Sequence, residues 1–245
     1  MILNVILIVA AIVLESRKSM TLSTHTSAIL SQAKFLAQLS WNNGSYDPES
    51  AVKHVFKWNS VSAWQEPKEL LELARIVRSY RPKTILEIGS ARGGTLFVWC
   101  QMAHPKATVL SLDLPGGRYG GGYQEGRIST MKRLKQRGQK LHLLRCDSHD
   151  AGTLRRVQEL FQSEKIDFLF IDGDHRYEGV KQDFDMYRPL VAKGGIIGFH
   201  DILEAPEDTG GDVSRFWNEI KEQFYHREIV ADRQQQGYGI GLLLV

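Results

Sequence analysis

The segment "IDGDHRYEG", Ile171 to Gly179, sets Asp172 and Asp174 around a glycine and puts His175 directly after them. Carboxylates hold hard cations and an imidazole exchanges protons near neutral pH, so these residues can form a metal and proton-transfer site. The same letters also describe a strand running into a helix, because Asp is a favoured N-cap residue. A second histidine and acid, His200 and Asp201, close the run "GGIIGFHDI". Further acids stand at or near the ends of apolar runs: Glu87 in "ILEIGSARGG", Asp113 in "LSLDLP" and Asp147 in "LLRCDSHD".

The elements that must position these groups are legible as a repeating pattern. Short apolar runs at Thr84 to Ile88, Thr108 to Leu112, Leu141 to Leu144, Phe168 to Ile171 and Gly195 to Phe199 alternate with helix-length segments. That alternation predicts βαβ units forming a parallel sheet. The tail "REIVADRQQQGYGIGLLLV" holds two β-prone runs joined by a polar turn, which predicts a closing antiparallel hairpin. Ser27 to Leu39 and Pro67 to Tyr80 carry apolar residues at three- and four-residue spacing and read as helices, the second with proline at its start. Asp174 is expected to cap a helix ending near Tyr187, His149 and Asp150 to start another, and Gly194 and Gly195 to turn the chain into the fifth strand.

In an open parallel sheet, ligands gather beyond the carboxyl ends of the strands. The turn after the first strand is rich in glycine, which lets the backbone approach a ligand closely. The dinucleotide fingerprint fails there, because Ala91 stands two residues after Gly89 and the next glycines are Gly93 and Gly94. A nicotinamide-dependent dehydrogenase is therefore disfavoured. Asp113 is placed to accept hydrogen bonds from both ribose hydroxyls of a nucleoside, and Asp147, assisted by Ser148, to receive an adenine amino group. Each acid can instead close a turn or cap a helix.

On "LEIGSARGG", "LSLDLP", "CDSHD", "FLFIDGDHRYEGV" and "LVAKGGIIGFHDI", the chain resembles the class I S-adenosylmethionine-dependent methyltransferases over roughly Pro67 to Val245. The last two motifs are most similar to the metal-assisted O-methyltransferases grouped with macrocin O-methyltransferase and the cephalosporin hydroxylase-like proteins. The resemblance implies an α/β, Rossmann-like fold with a seven-stranded, mostly parallel sheet and a C-terminal antiparallel hairpin. It also implies S-adenosylmethionine as cofactor. Glu87, Gly89, Ser90 and Gly93 would line its methionine moiety, Asp113 would hold the ribose, and Asp147 and Ser148 would face the adenine. Ala91 departs from the glycine of many relatives but is small.

Adjacent parallel strands lie about 4.8 Å apart, so Asp172, His200 and Asp201 can converge on one ion. The resemblance implies magnesium there, with His175 as the base that takes the acceptor's proton. Methyl transfer from a sulfonium is an in-line displacement, which requires a hydroxyl oxygen held about 3 Å from the methyl carbon. A divalent ion would orient that oxygen and lower its pKa. His200 stands where the family has an acidic ligand, and magnesium prefers oxygen whereas imidazole suits manganese, iron or zinc. Magnesium or manganese is the leading expectation; another transition metal, or no catalytic metal with His200 as a second base or substrate-orienting group, is the alternative.

Composition bounds the rest. The 245 residues are 42% hydrophobic and 24% charged with a net charge of +3, as for an ordinary globular chain with one sizeable core. Nucleic-acid binding is not expected, since the basic run Arg127 to Lys140 has the spacing of a solvated helix face. Cys100 and Cys146, far apart and without metal spacing, are expected as buried free thiols in a reducing, cytoplasmic compartment. Residues 2–14 are apolar apart from Asn4 and, as a helix, would span roughly 20 Å, short of the hydrocarbon core. They are either a marginal membrane anchor or an upstream extension, so a weak membrane association stays open. The expected organisation is an apolar segment at 1–19, a helical cap region at 20–66 and a methyltransferase domain at 67–245. The scattered aromatics of "VFKWNSVSAWQ" are expected mainly to pack on the core or to shield a pocket. Glycine-rich Leu114 to Gly126 and the segment after Asp201 are expected as mobile loops, with Arg118, Tyr119 and Tyr123 able to close over substrate. The partner is a small-molecule acceptor such as a sugar or polyketide, and a homo-oligomer is open. A non-catalytic or membrane-tethered S-adenosylmethionine-binding protein is the second reading.

Overall fold

The computed structural model describes residues 46–57, 61–116, 123, 125–205 and 211–245. Seven strands form one sheet in the order β3-β2-β1-β4-β5-β7-β6. β1 (Thr84–Ile88), β2 (Thr108–Asp113), β3 (Lys140–Arg145), β4 (Ile166–Ile171) and β5 (Val191–His200) are mutually parallel. β6 (Tyr225–Ile229) and β7 (Ile240–Leu244) close the edge as an antiparallel hairpin. The expected α/β, Rossmann-like sheet is therefore present. The strand order reverses at β1 and β4, where a cleft opens at the carboxyl edge of such sheets.

Helices cover both faces. α1 (Pro48–Lys57), α2 (Pro67–Tyr80) and α3 (Gly94–Met102) lie on one; α5 (Ala151–Leu160), α6 (Tyr177–Tyr187) and α7 (Val213–Ile220) lie on the other, and the short α4 (Ile128–Met131) abuts the first group. The strands feed both layers by their two-residue period. Ile85, Phe168 and Phe170 join Leu73, Phe97 and Trp99 in the first core, while Leu86, Leu169 and Ile171 join Phe184, Phe216 and Trp217 in the second. α2 starts where expected because Pro67 needs no N–H partner and the Glu66 carboxylate accepts from Glu69 N at 3.2 Å.

Several expectations need correction. β5 begins at Val191, so Gly194 and Gly195 lie within the strand; Gly194, at φ +79°, marks an irregularity matched by a register shift opposite Ile166 and Phe168. Only Ile128–Met131 of the basic run is α-helical, directly after a 3-10 turn at Glu125–Arg127, and turns follow. Cys100 is buried, but Cys146 is half-buried. Tyr123 is 1% exposed and belongs to the first core, not to a surface lid. Residues 1–45, including the expected helix at 27–39, lie outside the described residues, as do Arg118, Tyr119 and residues 206–210. Among the described residues no helix is long and apolar enough to cross a membrane.

Candidate active site

The carboxyl ends of β1, β2, β4 and β5 surround a cavity of about 730 Å³. Register explains the convergence: Ile88 pairs with Ile171, and Ile171 with Phe199, so Gly89, Asp172 and His200 emerge side by side at the sheet edge. Gly89 is at φ +84° and makes so close an approach to β4 that a Cβ there would lie 2.0 Å from the Asp172 carbonyl oxygen. The turn beyond it is tied to β2, because Asp113 Oδ2 accepts from Ser90 N at 3.0 Å and Ala91 N at 2.6 Å. Ala91 holds φ +43°, a left-handed conformation that suits glycine better. Gly89, Ser90, Asp113, Asp147 and Ser148 all line the cavity.

Glu87 and Gly93 do not line it. Glu87 shares the face of β1 with Ile85 and points under α3, where Trp99 Nε1 donates to it at 2.6 Å and the Ser90 hydroxyl completes the site. Gly93, at φ +81°, caps α3 and packs against Met131. Both hold the turn from behind. Complete burial carries the Glu87 carboxyl up to about 8 from its ordinary 4.5, against the pull of Ser90, Thr95 and Trp99. The unfolded chain releases this proton near 4.5 while the folded chain keeps it to about 8, so stability falls as pH rises through that window. Glu87→Gln, which imitates the protonated acid, is expected to flatten the decline. Urea unfolding at several pH values checks this; an unchanged slope would remove Glu87 as its source.

At the other side of the cavity four polar side chains meet. His175 Nδ1 lies 2.6 Å from Asp201 Oδ2, and its Nε2 lies 3.7 Å from Asp172 Oδ1. His200 Nδ1 lies 3.0 Å from Asp172 Oδ1 and 3.3 Å from Asp201 Oδ1. Burial works against charge on both rings, yet the carboxylates outweigh it: His175 is raised above its ordinary value and His200 is carried up to about 9. For His200 this is opposed by geometry. Its Nε2 is buried with no hydrogen-bond partner among the described residues, and a second proton would sit there as an orphaned N–H. Asp201 itself holds φ +61°, and Tyr238 N donates to its Oδ1 at 3.2 Å.

The expected metal ligands Asp172, His200 and Asp201 are thus neighbours, but as hydrogen-bonding partners. Among the described residues no group of three or more His, Cys, Asp or Glu is arranged to hold an ion. Asp174 is not the N-cap of α6; Arg176 holds that position, and Asp174 accepts from Arg176 N at 3.0 Å and from its guanidinium two residues upstream. Asp150 does cap α5 through Gly152 N at 2.7 Å, while His149 turns away to lie 3.3 Å from the buried Asp183.

Gln65 and Glu69 are contributors that the sequence reading did not single out, and Trp64 is one of the aromatics expected to pack or to shield a pocket. Gln65 Nε2 donates to Asp172 Oδ2 at 2.7 Å, and Trp64, 55% exposed, stands beside it at the cavity wall. Nothing in the letters of that aromatic stretch marks Gln65. Glu69, 1% exposed, accepts from Ala231 N, Gln235 Nε2 and Gly239 N at 3.0, 2.6 and 2.9 Å, fastening the loop that carries Tyr238. An acid beside the apolar stripe Leu70, Leu73, Ala74 and Val77 was the available signal.

Among known proteins, a family model described as Methyltransferase domain matches residues 86–202. An uncharacterized protein of Acanthamoeba polyphaga mimivirus is 31% identical over 118 residues, 48% of this chain and 51% of that protein. The match thus spans about half the length of that relative. The O-methyltransferase from Bacillus cereus in complex with SAH is similar in structure, with a TM-score of 0.56 and 16% identity over 86% of this chain and 91% of that one. MycE Methyltransferase from the mycinamycin biosynthetic pathway, in complex with Mg and SAH, has a TM-score of 0.53 and 18% identity, covering 82% of this chain and 55% of that one. At these identities the structural likeness establishes the fold.

Proposed function

We propose that this chain, whose residues 86–202 match a family model described as Methyltransferase domain, moves a methyl group from S-adenosylmethionine to a hydroxyl oxygen of a small molecule. The observation that carries this reading is the His175–Asp201 pair at 2.6 Å, opening into the same cavity as Gly89, Asp113 and Asp147. Bound there, S-adenosylmethionine supplies an electrophilic methyl group on a sulfonium. Asp113 offers a carboxylate to ribose hydroxyls, Asp147 and Ser148 border the adenine end, and the Gly89–Ser90 backbone leaves room for the methionine part.

His175 then does the acid–base work. With Nδ1–H donated to Asp201, the neutral ring keeps its lone pair on Nε2 and takes the acceptor's proton as the oxygen forms its bond to carbon and the sulfur–carbon bond breaks. Asp201 fixes the tautomer and steadies the imidazolium. No step in this reading passes through a metal ion. The acceptor class we infer, a hydroxylated metabolite such as a sugar or polyketide, is consistent with a cavity that Trp64, His175 and Tyr238 all line.

Calorimetry with S-adenosylhomocysteine and with NAD tests the cofactor; we expect binding of the first alone. Transfer of label from S-[methyl-³H]adenosylmethionine to a panel of sugars, phenols and macrolides tests the reaction. NAD binding without S-adenosylhomocysteine binding would sink the reading.

A further inference from the structure

We infer that this centre performs the proposed methyl transfer without a divalent ion, because N–H donors hold the two carboxylates that would otherwise converge on a cation. The inference rests on the methyl-transfer reading only for the reaction it names; the ion question is decided by the side chains themselves.

Gln65 is the first observation. Its Oε1 accepts from Trp64 N at 3.1 Å, which fixes the amide's orientation and turns Nε2 onto Asp172 Oδ2 at 2.7 Å. Beside a cation an amide presents its carbonyl oxygen; here it presents its positive edge. This side chain is 6% exposed and locked at both ends.

His200 is the second. A histidine that ligates a metal through one nitrogen donates the other N–H to an acceptor, which sets its tautomer. If His200 Nδ1 were a ligand, the proton would move to Nε2, which meets no acceptor among the described residues. With the proton on Nδ1 the ring instead donates to Asp172 at 3.0 Å and leaves a bare lone pair at Nε2, the cheaper atom to bury unpaired. Asp201 is engaged likewise by His175 Nδ1 and by the backbone N–H of Tyr238. The four carboxylate oxygens therefore each face a nitrogen. The orienting role that an ion would have taken falls to this network, which sets the direction of His175 through Asp201.

Thermal unfolding of chelator-treated protein, saturated with S-adenosylhomocysteine, separates the alternatives. Addition of about 1 mM MnCl₂ or about 10 mM MgCl₂ is expected to leave the midpoint unchanged, whereas a site filled at ~100 times its Kd would raise it by roughly 5–10 °C. A rise of that size in the wild type, removed by Asp172→Asn, overturns the inference. Gln65→Glu and His200→Asp each replace a donor with oxygen ligands, and at least one is expected to gain a manganese-dependent rise. Gain in neither would equally overturn it. Calorimetry with S-adenosylhomocysteine alone reports on the methyl-transfer reading, so its failure is seen apart from the metal response.

Discussion

Replacing His175 by alanine is expected to lower the rate of methyl transfer by about 10²- to 10⁴-fold, the usual contribution of a positioned general base. Affinity for S-adenosylhomocysteine should be unchanged, because the residues assigned to the cofactor lie at the ends of β1, β2 and β3 and His175 follows β4. The ring is well placed for the role. Its own carbonyl accepts from Asp212 N at 2.7 Å, and Asp201 holds Nδ1. The pH profile gives a second readout. His175 is raised above its ordinary value: burial opposes protonation, but the Asp201 bond and the charges of Asp172 and Asp201 prevail. Only the neutral ring accepts a proton, so the rate should rise with pH through a midpoint above the ordinary histidine value. Initial rates from roughly pH 5 to 9 test this. An alanine variant that keeps more than about a tenth of the activity would remove His175 from the reaction.

Asp201→Asn offers a finer contrast. It keeps a side-chain oxygen near Nδ1 but removes the charge that steadies the imidazolium, so the acid limb should move toward lower pH. A merely structural Asp201 would change stability and leave that limb in place.

The sheet was legible because parallel strands are covered on both faces and read as unbroken apolar runs. The bounds of β1 match the expected Thr84 to Ile88, β2 runs one residue further at its end, and β3 runs one residue further at each end. That same feature hid the orientation of Glu87. All five residues of β1 are buried, so no polar alternation says which layer an acid faces, and the acid in "ILEIG" points into the α3 layer, not the cleft. β5 was misjudged at its start because glycines usually end strands, yet here Gly194 sits in a bulge that Val245 O stabilises through Gly194 N. Clustering of Asp172, His200 and Asp201 followed from strand adjacency alone. Whether they face an ion or one another depends on Gln65, more than a hundred residues upstream, and on Tyr238 from the hairpin loop. Long-range partners of that kind leave no local period in the sequence.

The largest effect on the scaffold is expected from Gly89→Ala. Two costs combine there. At φ +84° an L side chain meets its own backbone, at about 1–2 kcal/mol, and the new Cβ would stand 2.0 Å from the Asp172 carbonyl oxygen and 2.5 Å from its carbon. Neither neighbour is a side chain that can rotate away. Gly89 N donates to Leu112 O at 2.9 Å and Asp172 N to Ile88 O at 2.8 Å, so relief requires β1 and β4 to part at the point where the cleft opens. Destabilisation of at least about 3 kcal/mol is expected, with loss of S-adenosylhomocysteine binding from whatever folded protein remains, since Asp172 and the Ser90 amide move with the turn. Gly116→Ala supplies the control: its φ of +73° is comparable, but no described residue lies within 4 Å of the added Cβ. It should cost only the conformational strain. Urea unfolding of the two variants side by side isolates the close approach, and a Gly89→Ala penalty no greater than that of Gly116→Ala would show that β1 and β4 do not meet as tightly as their backbones indicate.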